Sequence, residues 1–176
     1  KKGITYRFLV SAELWVFLNL FLALLMSIPA VNRYTHGTHI TVAHAMGTTI
    51  GINTMILFAS VFHLAHYKGN DPVPNSADLR WGFRLFNGGL VLFWLSLIGA
   101  GLVKGWYTVM TEMPFQQVMQ RVVPFLASFA VWGLVLFTGI SVLAWHAVRA
   151  LWWKSSRERS RHSTDPFTSS LPTSLP

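Results

Sequence analysis

Four apolar stretches dominate the chain, at about Phe8–Ile28, Ile40–Leu64, Phe83–Val103 and Val122–Trp152. Each is long enough to cross the hydrocarbon core of a bilayer, which takes roughly 20 helical residues. No polar run of domain size remains outside them, and of the 176 residues only 11% are charged while 52% are hydrophobic. The mean hydropathy of +0.44 lies outside the range of a soluble domain. The sequence therefore predicts an all-α integral membrane protein with four transmembrane helices. Residues 1–153 make up the expected transmembrane segment. Residues 154–176, "KSSRERSRHSTDPFTSSLPTSLP", are poor in apolar residues and rich in Ser, Pro and Arg, as expected of a disordered basic cytoplasmic tail.

The 14 Lys and Arg are unevenly placed. Lys1, Lys2, Arg7, Lys68, Arg80, Arg84, Arg149, Lys154, Arg157, Arg159 and Arg161 fall at one set of span ends, and only Arg33, Lys104 and Arg121 at the other. The positive-inside rule then puts both termini and the second loop in the cytoplasm, as in a multi-pass protein of a bacterial inner membrane. The net charge of +8 reads as topology and gives no reason to expect a nucleic-acid partner. With no cysteine, the chain has no disulfide, no thiolate metal site and no covalently attached c-type heme. It opens on Lys-Lys-Gly with no cleavable signal pattern, which suggests a processed, split or incomplete chain. The spans are expected to join through the connectors "IPAVNRYTHG", "YKGNDPVPNSAD" and "GWYTVMTEMPFQQ". Trp81, Trp106, Tyr107, Trp152 and Trp153 fall at expected interfaces and suit an aromatic belt.

The stretch "NRYTHGTHITVAHAMGTTIGIN", Asn32 to Asn53, sets ionisable and sulfur side chains at the mouth of the second span. Pro29 ends the first helix, and the second starts near His39 at its outer end. At 1.5 Å per residue His44 then lies roughly 8 Å inward of His39. A histidine at that depth must be paired, face a polar cavity or bind something. Met46, two residues on, points about 200° away, onto the opposite face of the helix. The two side chains cannot serve one metal, but they can serve two metals on either side of the helix. Both imidazole and thioether are axial ligands of heme iron, while a methionine also fills gaps in apolar cores. Ala43, Ala45, Gly47 and Gly51 are short enough to let a flat macrocycle approach the backbone.

With those residues in view, "VNRYTHGTHITVAHAMGTTIGINTMI" resembles the ligand-bearing helix of the heme-copper oxidase superfamily, closest to the catalytic subunit of bacterial nitric oxide reductases. That family has an Asn-Tyr-Tyr-Thr-His-Gly-Thr lead-in followed by Ala-His-x-His. The likeness continues more weakly through "LRWGFRLFNGGLVLFWLSLIGAGLV" and covers most of the chain as the last four of about twelve helices of such a subunit. It implies an oxidoreductase with heme b, in which two nitric oxide molecules, two electrons and two protons give nitrous oxide and water. His44 falls on the proximal ligand of the high-spin heme. Met46 falls where the family has a second histidine, an axial ligand of the low-spin heme. This departure leaves that heme either His/Met ligated, displaced or absent. His36, His39 and Arg33 fall on the outer side, where the family holds heme propionates. There they are read either as charge-assisted donors to those groups or as plain interfacial polar residues.

The other low-spin ligand and the histidines of the non-heme metal lie on helices that this sequence does not contain. The resemblance thus implies a partner, a larger membrane subunit carrying them, in a respiratory complex fed by a cytochrome c or quinol donor. Alternatives stay open: an oxygen-reducing terminal oxidase subunit, a non-catalytic subunit of such a complex, or a quinol-linked cytochrome b anchor using His63, His66 and His146. Of the other polar residues in the spans, Glu13 is read either as a buried carboxylate that relays protons or, in preference, as a snorkelling side chain paired with Arg7, and Asn19 and Asn87 lie deeper.

Overall fold

A computed structural model describes residues 3–67, 77–111 and 113–164. Among them, four helices are long and apolar enough to cross a membrane: Ile4–Ser27, His39–Ala65, Ala77–Met110 and Phe115–Trp152. They coincide with the four expected spans but run longer, because helix continues past the apolar core into the interfaces. Helix α1 (Ile4–Ser27) ends where Ile28 turns extended, with φ −75° and ψ 121°. A residue before proline is driven out of the helical region by the proline ring, so Pro29 is the cause. Pro29 then opens α2 (Pro29–Thr35) from the first turn, where its missing N–H costs nothing. The stretch expected as a plain connector is therefore partly helical.

Gly37, at φ 68°, makes the left-handed turn that reverses the chain after α2. Thr38 caps the next helix: its hydroxyl accepts from the Ile40 N–H at 3.3 Å and donates to the Thr35 carbonyl at 2.7 Å. The second span follows as α3 (His39–Met46), a π-helical segment (Gly47–Thr54) and α4 (Met55–Tyr67) in unbroken succession. Helices α5 (Ala77–Met110) and α6 (Phe115–Thr164) complete the bundle. Their connection is shorter than the sequence suggests, because α5 runs on to Met110. Helix α6 contains Pro124 and continues to Thr164, into the stretch expected as tail. Residues 68–76, the middle of the second connector, lie outside the described residues, as do 165–176.

The helices pack in an open arrangement with α5 at its centre. In its apolar window α5 is 44% buried, whereas α6 is only 17% buried. An aromatic cluster ties α1, α4 and α5 together. Phe8 stacks on Phe62 at 5.7 Å and meets Phe83 edge-on at 5.0 Å, and Phe58 meets Phe86 edge-on at 6.3 Å. Nearer the middle of the spans Trp15 meets Trp94 edge-on at 5.7 Å. Between α5 and α6, Ser96 and Ser128 share a hydrogen bond of 3.0 Å. Glu13 is exposed and, among the described residues, makes no ion pair with Arg7, contrary to expectation. The two belong to the same helix, six positions apart, beyond the three- or four-residue spacing at which helical side chains meet.

The α5–α6 contact depends on two glycines placed reciprocally. A Cβ on Gly89 would lie 2.9 Å from the Leu136 backbone nitrogen, and one on Gly139 would lie 2.5 Å from that of Phe86. Close backbone approach of this kind supplies van der Waals packing where the hydrophobic effect gives no preference for helix over lipid. Gly139→Val should lower the stability of the bundle by about 1–3 kcal/mol, the usual range for overpacking. Gly88→Val, where a Cβ meets nothing within 4 Å, should not. Thermal unfolding of the two variants in detergent checks this.

Candidate functional site

The His39 end of the second span is clamped onto α5. A Cβ on Gly101 would lie 2.6 Å from the Ile40 nitrogen, and one on Gly105 would collide with the Tyr34 carbonyl. Between these two positions the Lys104 ammonium donates to the Gly37 carbonyl at 3.0 Å. Lys104 thus holds the turn that launches the histidine-bearing helix. Nothing local in the sequence marks it for that role, since it stands 67 positions from its partner. Around the turn, Arg33 and His36 are exposed and His39 is half-buried, with its Nδ1 enclosed and without a hydrogen-bond partner among the described residues.

Helix α3 distributes its side chains in a definite pattern. Ile40, Ala43 and Gly47 are buried, and Thr41, Val42 and Ala45 are exposed. At about 100° per residue these sets mark opposite faces, and His44 and Met46 fall on the two flanks between them. The opposed placement expected from their spacing therefore holds. His44 is half-buried; its Nδ1 is enclosed and has no partner among the described residues. Met46 is half-buried as well, and its side chain packs against the hydrophobic core.

The small residues beside them do something other than the sequence suggests. Gly47 receives Asn19 of α1: a Cβ there would lie 2.5 Å from the Asn19 Oδ1. Gly51 receives Trp15, with a Cβ falling 2.7 Å from the indole ring. Trp15 is 1% exposed and Asn19 is 3% exposed. Ala43, Gly47 and Gly51 are thus covered by protein, and only Ala45 of the four stays open to a flat group. The sequence marks Asn19 by its depth alone, and only the fold defines its partner. Its Nδ2 donates to the Thr48 hydroxyl at 2.6 Å, and that hydroxyl donates to the His44 carbonyl at 3.2 Å.

Immediately after Met46 the helix widens. Within Gly47–Thr54 the Thr54 hydroxyl bonds the Thr49 carbonyl five residues back, at 3.1 Å. Segments of π-helix are rare, and many lie at functional sites. No pattern of hydropathy signals one.

The alternative histidine group is described only in part. His63 is exposed and His146 half-buried, while the His66 side chain lies outside the described residues. Among the described residues no set of three or more His, Asp or Glu is grouped to hold a metal ion. What the site offers is one imidazole on one flank of a helix and one thioether on the other. That donor set fits single axial bonds to two separate heme irons and does not fit a metal centre held by several protein ligands. A ligating imidazole donates its second N–H to a hydrogen-bond partner, and the enclosed Nδ1 of His44 has none among the described residues.

Known proteins resemble this chain over most of its length. The model of the family described as cytochrome c and quinol oxidase polypeptide I matches residues 2–135. A cytochrome c oxidase subunit 1 homolog of Agrobacterium tumefaciens (strain T37) is 25% identical over 152 residues, covering 82% of this chain and 28% of the relative. A nitric oxide reductase subunit from Stutzerimonas stutzeri is 28% identical over 108 residues, covering 59% of this chain and 21% of the relative. A second cytochrome c oxidase subunit 1 homolog, from Azorhizobium caulinodans, is 25% identical over 129 residues, covering 69% and 23%. The chain thus spans only about a quarter of the length of these relatives. With four membrane-crossing helices, a histidine-bearing second span and a family match over most of its residues, this chain belongs to the cytochrome c and quinol oxidase polypeptide I family, within the heme-copper oxidase superfamily.

Proposed function

We propose that this chain is a heme-binding part of a membrane oxidoreductase that reduces nitric oxide to nitrous oxide, with His44 as the proximal ligand of the active, high-spin heme b. The observation that carries the reading is the state of His44: a half-buried imidazole inside a membrane helix, with its Nδ1 enclosed and unpartnered among the described residues. An ionisable side chain at that depth is costly unless it has a task. Heme iron, when bound, supplies the redox centre at which the diatomic substrate is reduced. His44 would hold that centre and tune its potential. Arg33, His36 and His39 cluster by sequence at the outer end of the span, where they are suited to anionic propionates. Lys104 joins them as a fourth donor.

The remaining ligands, including those of the non-heme metal, come from polypeptide outside this sequence, in a larger membrane subunit served by a cytochrome c or quinol donor. The open face of the second span supports such a partner. Thr41, Ala45, Thr49 and Asn53, each four residues from the next, are all exposed. Small and polar side chains suit a packed helix better than acyl chains. By charge distribution the complex sits in a bacterial inner membrane with both termini of this chain cytoplasmic. The lead-in to His44 favours nitric oxide as substrate. Oxygen reduction is the second reading, and the 82% of this chain covered by a cytochrome c oxidase subunit 1 homolog favours it. Turnover assays with each gas separate the two.

In the purified complex, His44→Ala should remove or unseat the high-spin heme and abolish turnover, and added imidazole should partly restore heme binding. His63→Ala should do neither. Pyridine hemochrome content and activity of both variants measure this, and equal losses would point to a folding effect and count against the assignment.

Met46 is proposed as an axial ligand of the low-spin heme. A thioether ligand raises a heme potential relative to a second imidazole. Met46→His should therefore lower the low-spin midpoint, by about tenfold in the one-electron equilibrium or ~59 mV, and should abolish any sulfur-to-iron charge-transfer band of the ferric protein. If the band is absent and Met46→Leu leaves the low-spin spectrum and midpoint unchanged, Met46 serves only to pack the core.

A further inference from the structure

We propose that Asn19 is a positioning residue for His44, acting from the neighbouring helix through Thr48. The inference rests on His44 as a heme ligand and goes beyond it by naming what fixes that ligand in place.

Asn19 lies in the apolar middle of α1, where a primary amide is costly unless its donors and acceptor are used. It is nonetheless 3% exposed, and its Nδ2 makes a 2.6 Å bond to the Thr48 hydroxyl. Thr48 passes the connection on, donating at 3.2 Å to the carbonyl of His44. The same carbonyl also accepts from the Gly47 N–H, which is shared between it and the Ala43 carbonyl. The turn so held is the one at which α3 gives way to π-helix, where the regular bonding pattern of the backbone changes. A side chain from α1 thus supports the backbone of the ligand residue at the point where the helix is least regular.

Two further observations agree. Gly47 leaves room for the Asn19 amide and for nothing larger on its own Cα, since a Cβ would lie 2.5 Å from Oδ1. Asn19 Oδ1 and His44 Nδ1 are both enclosed and unpartnered among the described residues. They are chemically complementary. With Nε2 turned to an iron, Nδ1 carries the proton and is a donor, whereas the amide oxygen is an acceptor. Asn19 touches Gly47 and bonds Thr48, three and four residues on from His44 and so within about one helical turn of it. Groups that orient a ligating histidine set its rotation and basicity, and their loss commonly costs 10–100-fold in metal affinity or activity.

The test uses the complex purified from its own membrane and reads two properties of the high-spin heme: the iron–histidine stretching frequency by resonance Raman, and the midpoint potential. Asn19→Leu and Thr48→Val should each move the stretch and shift the one-electron equilibrium by about threefold, ~28 mV at 59 mV per decade. The double variant should shift no further than either single one, because both break the same chain. Thr48→Ser, which keeps the hydroxyl, should behave as wild type. Ser128→Ala removes a comparable interhelical bond between α5 and α6 and should leave both readouts unchanged. If Asn19→Leu fails to assemble, Thr48→Val decides alone. Unmoved readouts in Thr48→Val, additive shifts in the double variant, or an equal shift in Ser128→Ala would each overturn the proposal. Retention of high-spin heme by His44→Ala would instead overturn the ligand assignment on which it rests.

Discussion

The second span can lie against α1 only because positions 47 and 51 lack a Cβ. Asn19 enters at the first and Trp15 at the second, and both side chains become almost wholly enclosed. Once that face is committed, helical geometry leaves His44 and Met46 on the two flanks, with Thr41 and Ala45 facing outward. The arrangement at the His39 end has the same origin: Gly101 and Gly105 admit the α2–α3 corner to α5, and Lys104 bonds the turn between them. Backbone contact on two sides therefore fixes both the depth and the rotation of the histidine, and the flanks that remain are where a ligand or another helix can reach it.

Much of this is legible in the sequence and some is not. The four spans follow from length and hydropathy, and Pro29 marks the end of α1 because the proline ring forbids helix at Ile28. The opposed placement of His44 and Met46 follows from a spacing of two. The family is legible in the lead-in and Ala-His motif, and the family match over residues 2–135 agrees with it. Helix α2 and the π segment are not legible. Both depend on which carbonyl each N–H chooses, and hydropathy does not report that choice. Gly47 and Gly51 look like room for a macrocycle because a sequence shows that a residue is small but not what fills the space. Lys104 and Asn19 owe their roles to partners 67 and 29 positions away, Gly37 and Thr48.

The bundle is unevenly finished. Its aromatic cluster and the α5–α6 seam are close-packed, but Phe17, Phe21, Leu134, Phe137 and Trp145 are exposed along α1 and α6. In lipid such surfaces are stable as they stand, whereas the exposed Thr49 and Asn53 of the second span are less suited to it. The contrast between the oily surface of α1 and α6 and the more polar strip beside His44 gives the molecule two unlike sides.

The π segment has a consequence for how this helix can vary. One residue corresponds to about 100° of rotation in an α-helix, so a widened stretch sets a phase difference between the part of the span before it and the part after it. Ahead of it stands the turn of His44; behind it stand Met55, Phe58 and Phe62, which lock the second half of the span into the aromatic cluster. Deleting a single residue between Gly47 and Thr54 would favour relaxation to ordinary helix and swing one half against the other. The span behaves as two keyed shafts joined by a coupling, and insertions or deletions in that coupling would be read out as misalignment of His44 and not as loss of the membrane helix.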